Sequence, residues 1–452
     1  MIKFSEILGY RMLIDTLLKA RWIIPVEPDR TVLENHALAI DGGRIVDILP
    51  ISEAELSYQA ASVESFDRHA LIPGLVNAHT HAAMSLLRGV ADDRPLMEWL
   101  LDHIWPLEQK WVGETFVRDG TDLAMAEMIR GGVTCFNDMY FFPEITARQA
   151  ARCGMRAVAG LILVDFPSAW ASGPDDYLSK GLALREELRH NPLITTAFAP
   201  HAPYSVSDEP LLKVRTLAAE LDRPIHMHLH ETRDEIDQSR QRYGMRPMKR
   251  LQQLDLLGPS FVAVHMTQLT DEEIAQFAES GGSVVHCPES NLKLASGFCP
   301  VAKLVKAGVN VAIGTDGAAS NNDLDVMGEM RAAALLAKAV SGDAAAVPAH
   351  AALRMATLNG AKALGLEAEI GSLEIGKSAD IAAIRLDELE TQPLYDPISN
   401  VVYAAGRHQV SDVWVAGRQL LKNRELTTLN TEEIFQKAAA WREKLISVQE
   451  RP

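Results

Sequence analysis

A chain of 452 residues, 47% apolar and 23% charged, has ordinary globular composition and the length for a large barrel plus an accessory domain. Its formal net charge of −16 argues against nucleic acid, which needs an excess of Lys and Arg, and against an anionic membrane surface. Apolar runs of ~18 residues are absent. The N-terminal MIKFSEILGYRMLIDTLLKARWIIPV is broken by charges, unlike a signal peptide, so the chain reads as cytoplasmic. Cys135, Cys153, Cys287 and Cys299 have no CxxC spacing and read as reduced core thiols.

Residues 12–70 predict short strands and turns. ALAIDGGRIVDILP carries Asp41-Gly42-Gly43, a hairpin signal. From residue 71 the pattern changes. Apolar runs at 71–81, 133–140, 156–166, 194–205, 224–230, 261–266, 282–291 and 309–317 predict strands. Amphipathic stretches lie between them, such as FVRDGTDLAMAEMIRGG, PLLKVRTLAAELD, TDEEIAQFAESGG and VAKLVKAG, the last two ending in Gly, a usual helix stop. Eight such units predict a (β/α)8 barrel over 71–368. Residues 371–420 return to short strands, so 1–70 and 369–452 are expected to build one small β-sandwich domain from both chain ends. A helix near 431–447 closes the chain.

Chemistry-capable residues fall at the strand ends. His79 and His81 end the first strand, His201 the fourth, His228 and Glu231 the fifth, His265 the sixth and Asp316 the eighth. In a (β/α)8 barrel the active site sits at that rim. HTH at 79–81 aims two imidazoles at one point, because residues two apart on a strand share a face. A strand-five histidine and Asp316 complete a set of N and O ligands that suits Zn2+, or less specifically Fe2+ or another divalent transition metal. In RPIHMHLHE alternation alone leaves His226, His228 and His230 equivalent. Strand direction separates them: His226 lies too deep and reads as a barrel-interior side chain, and His230 lies too far out, as support for a ligand. Glu231 has the wrong parity for a continuing strand, which predicts a break after His228 that turns the carboxylate inward. His286 can line the rim, and Asp138 reads as structural.

PGLVNAHTH, HLHE, VHMTQLTDEE and AIGTDGAASNNDLD together resemble the amidohydrolase superfamily in its mononuclear deaminase branch. HTHAAMSLLRGVADDRPLMEWLLDHIWPLE with APHAPYS resembles the 5′-methylthioadenosine/S-adenosylhomocysteine deaminases. The resemblance covers nearly the whole chain. It implies His79, His81, His228 and Asp316 as metal ligands. Dinuclear relatives use a carboxylated lysine near the end of strand four, and FAPHAPYS has none, so one zinc per subunit is implied. It implies Glu231, His265 and Asp316 as catalytic: Asp316 takes a proton from water, His265 orients that water, and Glu231 protonates the adenine ring. A metal at this point lowers the pKa of water from about 16 toward ~7. It further implies Trp99 beside the 5′ thioether, Glu108 on the ribose hydroxyls, and His201 and Ser320 in the same pocket.

The expected reaction is hydrolytic deamination of 5′-methylthioadenosine at adenine C6, with S-adenosylhomocysteine and adenosine as further candidates. Residues 157–179 contain no Lys or Arg to hold the S-adenosylhomocysteine carboxylate, and they carry Asp165, Asp175 and Asp176. A small-molecule nucleoside is the expected partner, and a homo-oligomer stays open. The alternatives are another mononuclear amidohydrolase, such as a guanine or cytosine deaminase or a triazine hydrolase, and, more remotely, a non-catalytic barrel that only binds.

Overall fold

The computed structural model describes residues 11–449. The first ten residues and last three of the expected β-domain lie outside the described residues. Two eight-stranded sheets organise the chain. The first opens with β1 (Met12–Ile23), β2 (Leu33–Asp41), β3 (Arg44–Pro50) and β4 (Tyr58–Pro73). The β2–β3 hairpin turns at Gly42 and Gly43, both at positive φ, as the DGG signal predicts.

The second sheet is parallel throughout and forms the barrel: β5 (Leu75–Thr80), β6 (Val133–Asp138), β7 (Arg156–Leu163), β8 (Ile194–Pro200), β9 (Ile225–Leu229), β10 (Phe261–His265), β11 (Ser283–His286) and β12 (Asn310–Ile313). Past β12 the ring closes on β5: the Asp316 N–H donates to the His79 carbonyl at 3.1 Å, and the Thr315 N–H to Asn77 Oδ1 at 3.0 Å. The strand predicted at 71–81 is really two. It breaks at Gly74, where a Cβ would lie 2.1 Å from Thr134 Oγ1, and only its second half joins the barrel. The strand predicted at 282–291 stops at His286. Pro288, which suits the first turn of a helix, starts the short helix Pro288–Lys293.

Period-two alternation puts His226 and His228 inside the barrel, while Met227 and Leu229 join the core beneath the surrounding helices. At the end opposite the histidines, Ala361 and Leu364 pack against Val76, Cys135, Val158 and Ala197. The interior is therefore filled from below, and its cavity lies at the strands' C-terminal rim.

After the barrel, β13 (Ile381–Arg385), β14 (Val410–Val415), β15 (Arg418–Lys422) and β16 (Glu425–Leu426) complete the first sheet, in the order β16-β15-β14-β13-β4-β1-β2-β3. Both chain ends thus share one small sheet domain. Leu18, Leu38, Ile45 and Phe66 of the first end pack with Ile381, Ala383 and Trp414 of the second. The helix Thr431–Gln449 then lies on the helix Glu114–Arg130, where Trp441 Nε1 donates to Asp119 Oδ2 at 3.0 Å. No helix among the described residues is long and apolar enough to cross a membrane.

Candidate active site

Four side chains from three strand ends converge at the rim. One ligand-type atom from each of His79, His81, His228 and Asp316 lies within 4.8 Å of the other three. His79 Nε2 and His228 Nε2 are 3.1 Å apart, and Asp316 Oδ1 lies 3.3 Å from His79 Nε2 and 3.2 Å from His81 Nε2. The far sides of the rings are already engaged. His81 Nδ1 donates to the Met139 carbonyl at 2.6 Å and His228 Nδ1 to the His201 carbonyl at 2.8 Å. With the proton held at Nδ1, each Nε2 presents a lone pair to the common point. Burial drives His79 down to about 4 and His228 well below the ordinary histidine range, so both rings are neutral. Burial opposes a charge on His81, yet the hydrogen bond and charge of the Asp316 carboxylate raise it to about 9. Three imidazoles plus a carboxylate, without thiolate, form a donor set that fits one divalent transition metal.

The supporting contacts are specific. His79 Nδ1 shares a 3.0 Å hydrogen bond with His226 Nε2, so the deeper histidine orients the His79 ring, and Asn137 backs it at 3.0 Å. Asp316 adopts a left-handed φ of 62°. Its Oδ1 accepts the Gly317 N–H at 2.8 Å, and its Oδ2 accepts from Ser290 Oγ at 2.7 Å and Ser320 Oγ at 3.0 Å.

Glu231 reaches the same space because β9 ends at Leu229 and His230 turns at φ 54°. Glu235 fixes that turn, accepting the His230 N–H at 3.0 Å and the Glu231 N–H at 2.7 Å. The Glu231 carboxyl is buried, receives Ser296 Oγ at 3.3 Å and lies 3.8 Å from His265 Nε2. Burial raises its pKa, with the His265 charge opposing. His265, at φ 75°, stacks on His228 at 5.4 Å, and Asn291 Oδ1 holds its Nδ1 at 2.9 Å.

These groups floor a cavity of about 570 Å3. Its walls include Trp99, Glu108, His201 and Ser320, with Leu96, Ile104, Trp105, Ile162, Val164 and Phe166 forming an apolar side. Tyr140 Oη donates to Glu108 Oε1 at 2.6 Å, and burial pushes the Glu108 carboxyl up to about 7 against that bond. Burial takes His201 down to about 3, and its Nδ1 pairs with Ser205 Oγ at 2.9 Å.

The structure also places the other polar residues read from the sequence. The Ser320 hydroxyl is engaged with Asp316, although the side chain borders the cavity. His230 turns away from the cluster, and its Nε2 accepts the Met248 N–H at 3.0 Å. His286 is buried and does not line the cavity. Asp138 is structural, tying the turn after His81 through the Ala82 N–H at 2.7 Å and Thr80 Oγ1 at 3.1 Å. Ser290 and Asn291 lie inside a segment read as strand, and Tyr140, Glu235 and Ser296 carry no motif of their own.

A sequence model of the amidohydrolase family matches residues 70–420. The chain belongs to the amidohydrolase family. Within it, a 5-methylthioadenosine/S-adenosylhomocysteine deaminase of Teredinibacter turnerae is 54% identical over 432 residues, 96% of this chain and 98% of the relative. A protein of the same name from Saccharophagus degradans is 50% identical over 95% of this chain and 97% of its own. The crystal structure of an adenosine deaminase from Xanthomonas campestris with bound zinc superposes with a TM-score of 0.96 at 52% identity, covering 97% of this chain and all of that one. An Arthrobacter aurescens atrazine chlorohydrolase, at TM-score 0.88 and 24% identity over 94% of this chain, shares the amidohydrolase fold alone.

Proposed function

We propose that this amidohydrolase is a metal-dependent deaminase of 5′-methylthioadenosine, yielding 5′-methylthioinosine and ammonia. One observation carries the reading: a His/His/His/Asp cluster and a buried carboxyl, Glu231, face the same cavity, whose wall holds Trp99 and Glu108. The names of the relatives support it. So does the zinc of the Xanthomonas campestris protein, and we take one zinc ion per subunit, in the cytoplasm, as the working state.

His79, His81 and His228 through Nε2, with Asp316, would hold the ion, which supplies the Lewis acidity that lowers the pKa of water toward ~7. Asp316 receives the proton of the attacking water, its carboxylate kept in place by Ser290 and Ser320. His265 Nε2 orients that water, with Asn291 fixing the ring. Burial favours the protonated form of Glu231, which delivers its proton to purine N1 and makes C6 electrophilic. The proton taken by Asp316 passes to the C6 amine as the C6–N bond breaks, ammonia leaves, and the C6 hydroxyl proton returns to Glu231, leaving the C6 carbonyl.

Glu108, anchored by Tyr140, accepts the two ribose hydroxyls, and His201 contacts the purine–ribose unit. Trp99 borders the methylthio group. Neither Lys nor Arg lines the cavity among the described residues, and Ile162, Val164 and Phe166 supply apolar surface instead. A buried substrate carboxylate would stay unpaired there, which supports 5′-methylthioadenosine over S-adenosylhomocysteine. Measuring kcat/KM for both nucleosides tests this. The value for 5′-methylthioadenosine should be the larger, and an equal or larger one for S-adenosylhomocysteine refutes the preference.

A further inference from the structure

The wall that carries Trp99 and Glu108 is one helical run, Leu96–Trp111, and its middle is not α-helical. The Trp99 N–H reaches back four residues to the Pro95 carbonyl, and the Val112 N–H four to Glu108. Between them, Trp99–Ile104 is π-helical, and the Trp105 N–H bonds the Leu100 carbonyl, five residues back. The sequence supplies a cause. Pro106 has no N–H to give the Asp102 carbonyl, and its ring crowds that carbonyl; a turn widened by one residue relieves the clash.

The extra residue decides which side chains share a face. Each α-helical residue turns the chain by about 100°, so residues nine apart, such as Trp99 and Glu108, would project about 180° apart. One residue absorbed by the π turn brings them to about 80°. Leu96 and Val112 would likewise diverge by about 160° and are drawn to about 60°. All four line the same cavity. Leu101, within the widened turn, points outward at 50% exposure. Tyr140 then meets Glu108 from the barrel side.

We propose that this π-helical turn is the positioning device of the nucleoside pocket, bringing the ribose-reading Glu108 and the 5′-end wall at Trp99 onto one face by means of a single additional residue. The inference rests on the proposed function for what those two side chains contact. Mutations here act through Glu108 and Trp99 rather than on the reacting atoms.

Deleting Leu101 removes the extra residue, while Leu101→Ala removes the same side chain and keeps the register. The readout is the ratio of kcat/KM for adenosine to that for 2′,3′-dideoxyadenosine, which the fraction of folded protein does not affect. The wild-type ratio should be roughly tenfold or more, as for hydrogen bonds to a charged acceptor. It should persist in Leu101→Ala and collapse toward 1 in the deletion, with bound zinc retained in both. A deletion variant that keeps zinc and the wild-type ratio overturns the role of the π turn alone. A wild-type ratio near 1 overturns the Glu108 assignment and this inference with it. If the deletion variant no longer binds zinc, Pro106→Ala decides. Restoring the N–H loosens the widened turn, and the ratio should fall roughly threefold or more, given the same hydrogen-bond scale; an unchanged ratio refutes the proposal.

Discussion

Glu231 and Glu108 are both carboxyls drawn upward by burial, and their proposed roles have opposite needs. Glu231 acts as an acid and works while protonated. Its folded pKa is raised, so kcat should hold at lower pH and fall as pH climbs through that value. Glu108 reads hydroxyls as a carboxylate, and its pKa is about 7. Below that it carries a proton and loses acceptor capacity, so discrimination between adenosine and 2′,3′-dideoxyadenosine should grow as pH rises through about 7. Profiles of kcat and of the kcat/KM ratio check both limbs, and a ratio flat across neutral pH contradicts the role given to Glu108. Glu231→Gln should keep its zinc and lose ~10²-fold or more in turnover. His228→Ala should lose the zinc itself. Metal analysis beside steady-state kinetics separates the two, and zinc loss in Glu231→Gln would show that Glu231 had been given the wrong task.

At the scale of elements, strand ends carried most of the legible information. Alternation marked the inward face of β9, and strand direction singled out His228 from its neighbours. The wrong parity of Glu231 gave the break that the left-handed His230 provides. What stayed hidden arises between elements. Asn291 supports His265 because Pro288 converts an apparent strand into a helix, and a strand pattern followed by Pro was the available signal. The split at Gly74 was masked because both halves are apolar, although Pro73-Gly74 marked it. Tyr140 and Ser296 meet their partners only through tertiary packing, and Glu235 meets its own across the local turn at 230–231. The π turn was hidden too, since an apolar helix pattern does not report an extra residue. His226 looked like interior filling and proves to orient His79. Replacing it with Phe should weaken zinc affinity by about 10–100-fold with the fold intact, the usual scale for a residue that orients a ligand. Zinc titration against a competing chelator measures it, and wild-type affinity would contradict the role.

For the whole molecule, the small sheet domain acts as a brace for the barrel rather than a contributor to its cavity. Arg156 of β7 reaches across to Asp380, with Nε and Nη2 each 3.1 Å from a carboxylate oxygen, and Nη2 also meets Ser378 Oγ at 3.0 Å. The pair is almost fully buried, at 6% and 2% side-chain exposure, so removing one charge leaves the other unpaired. Asp380→Asn should cost ~3–5 kcal/mol of stability, seen in denaturant unfolding, while KM for 5′-methylthioadenosine stays unchanged. A changed KM would mean that the brace tunes the pocket.

All of this depends on the chemistry at the rim. Zinc-loaded protein incubated with 5′-methylthioadenosine in oxygen-18 water, with the product weighed by mass spectrometry and ammonia assayed alongside, tests it most directly. The expected product is 5′-methylthioinosine carrying the label at C6, with ammonia released in equal amount. Unchanged nucleoside, or release of free adenine, would contradict it.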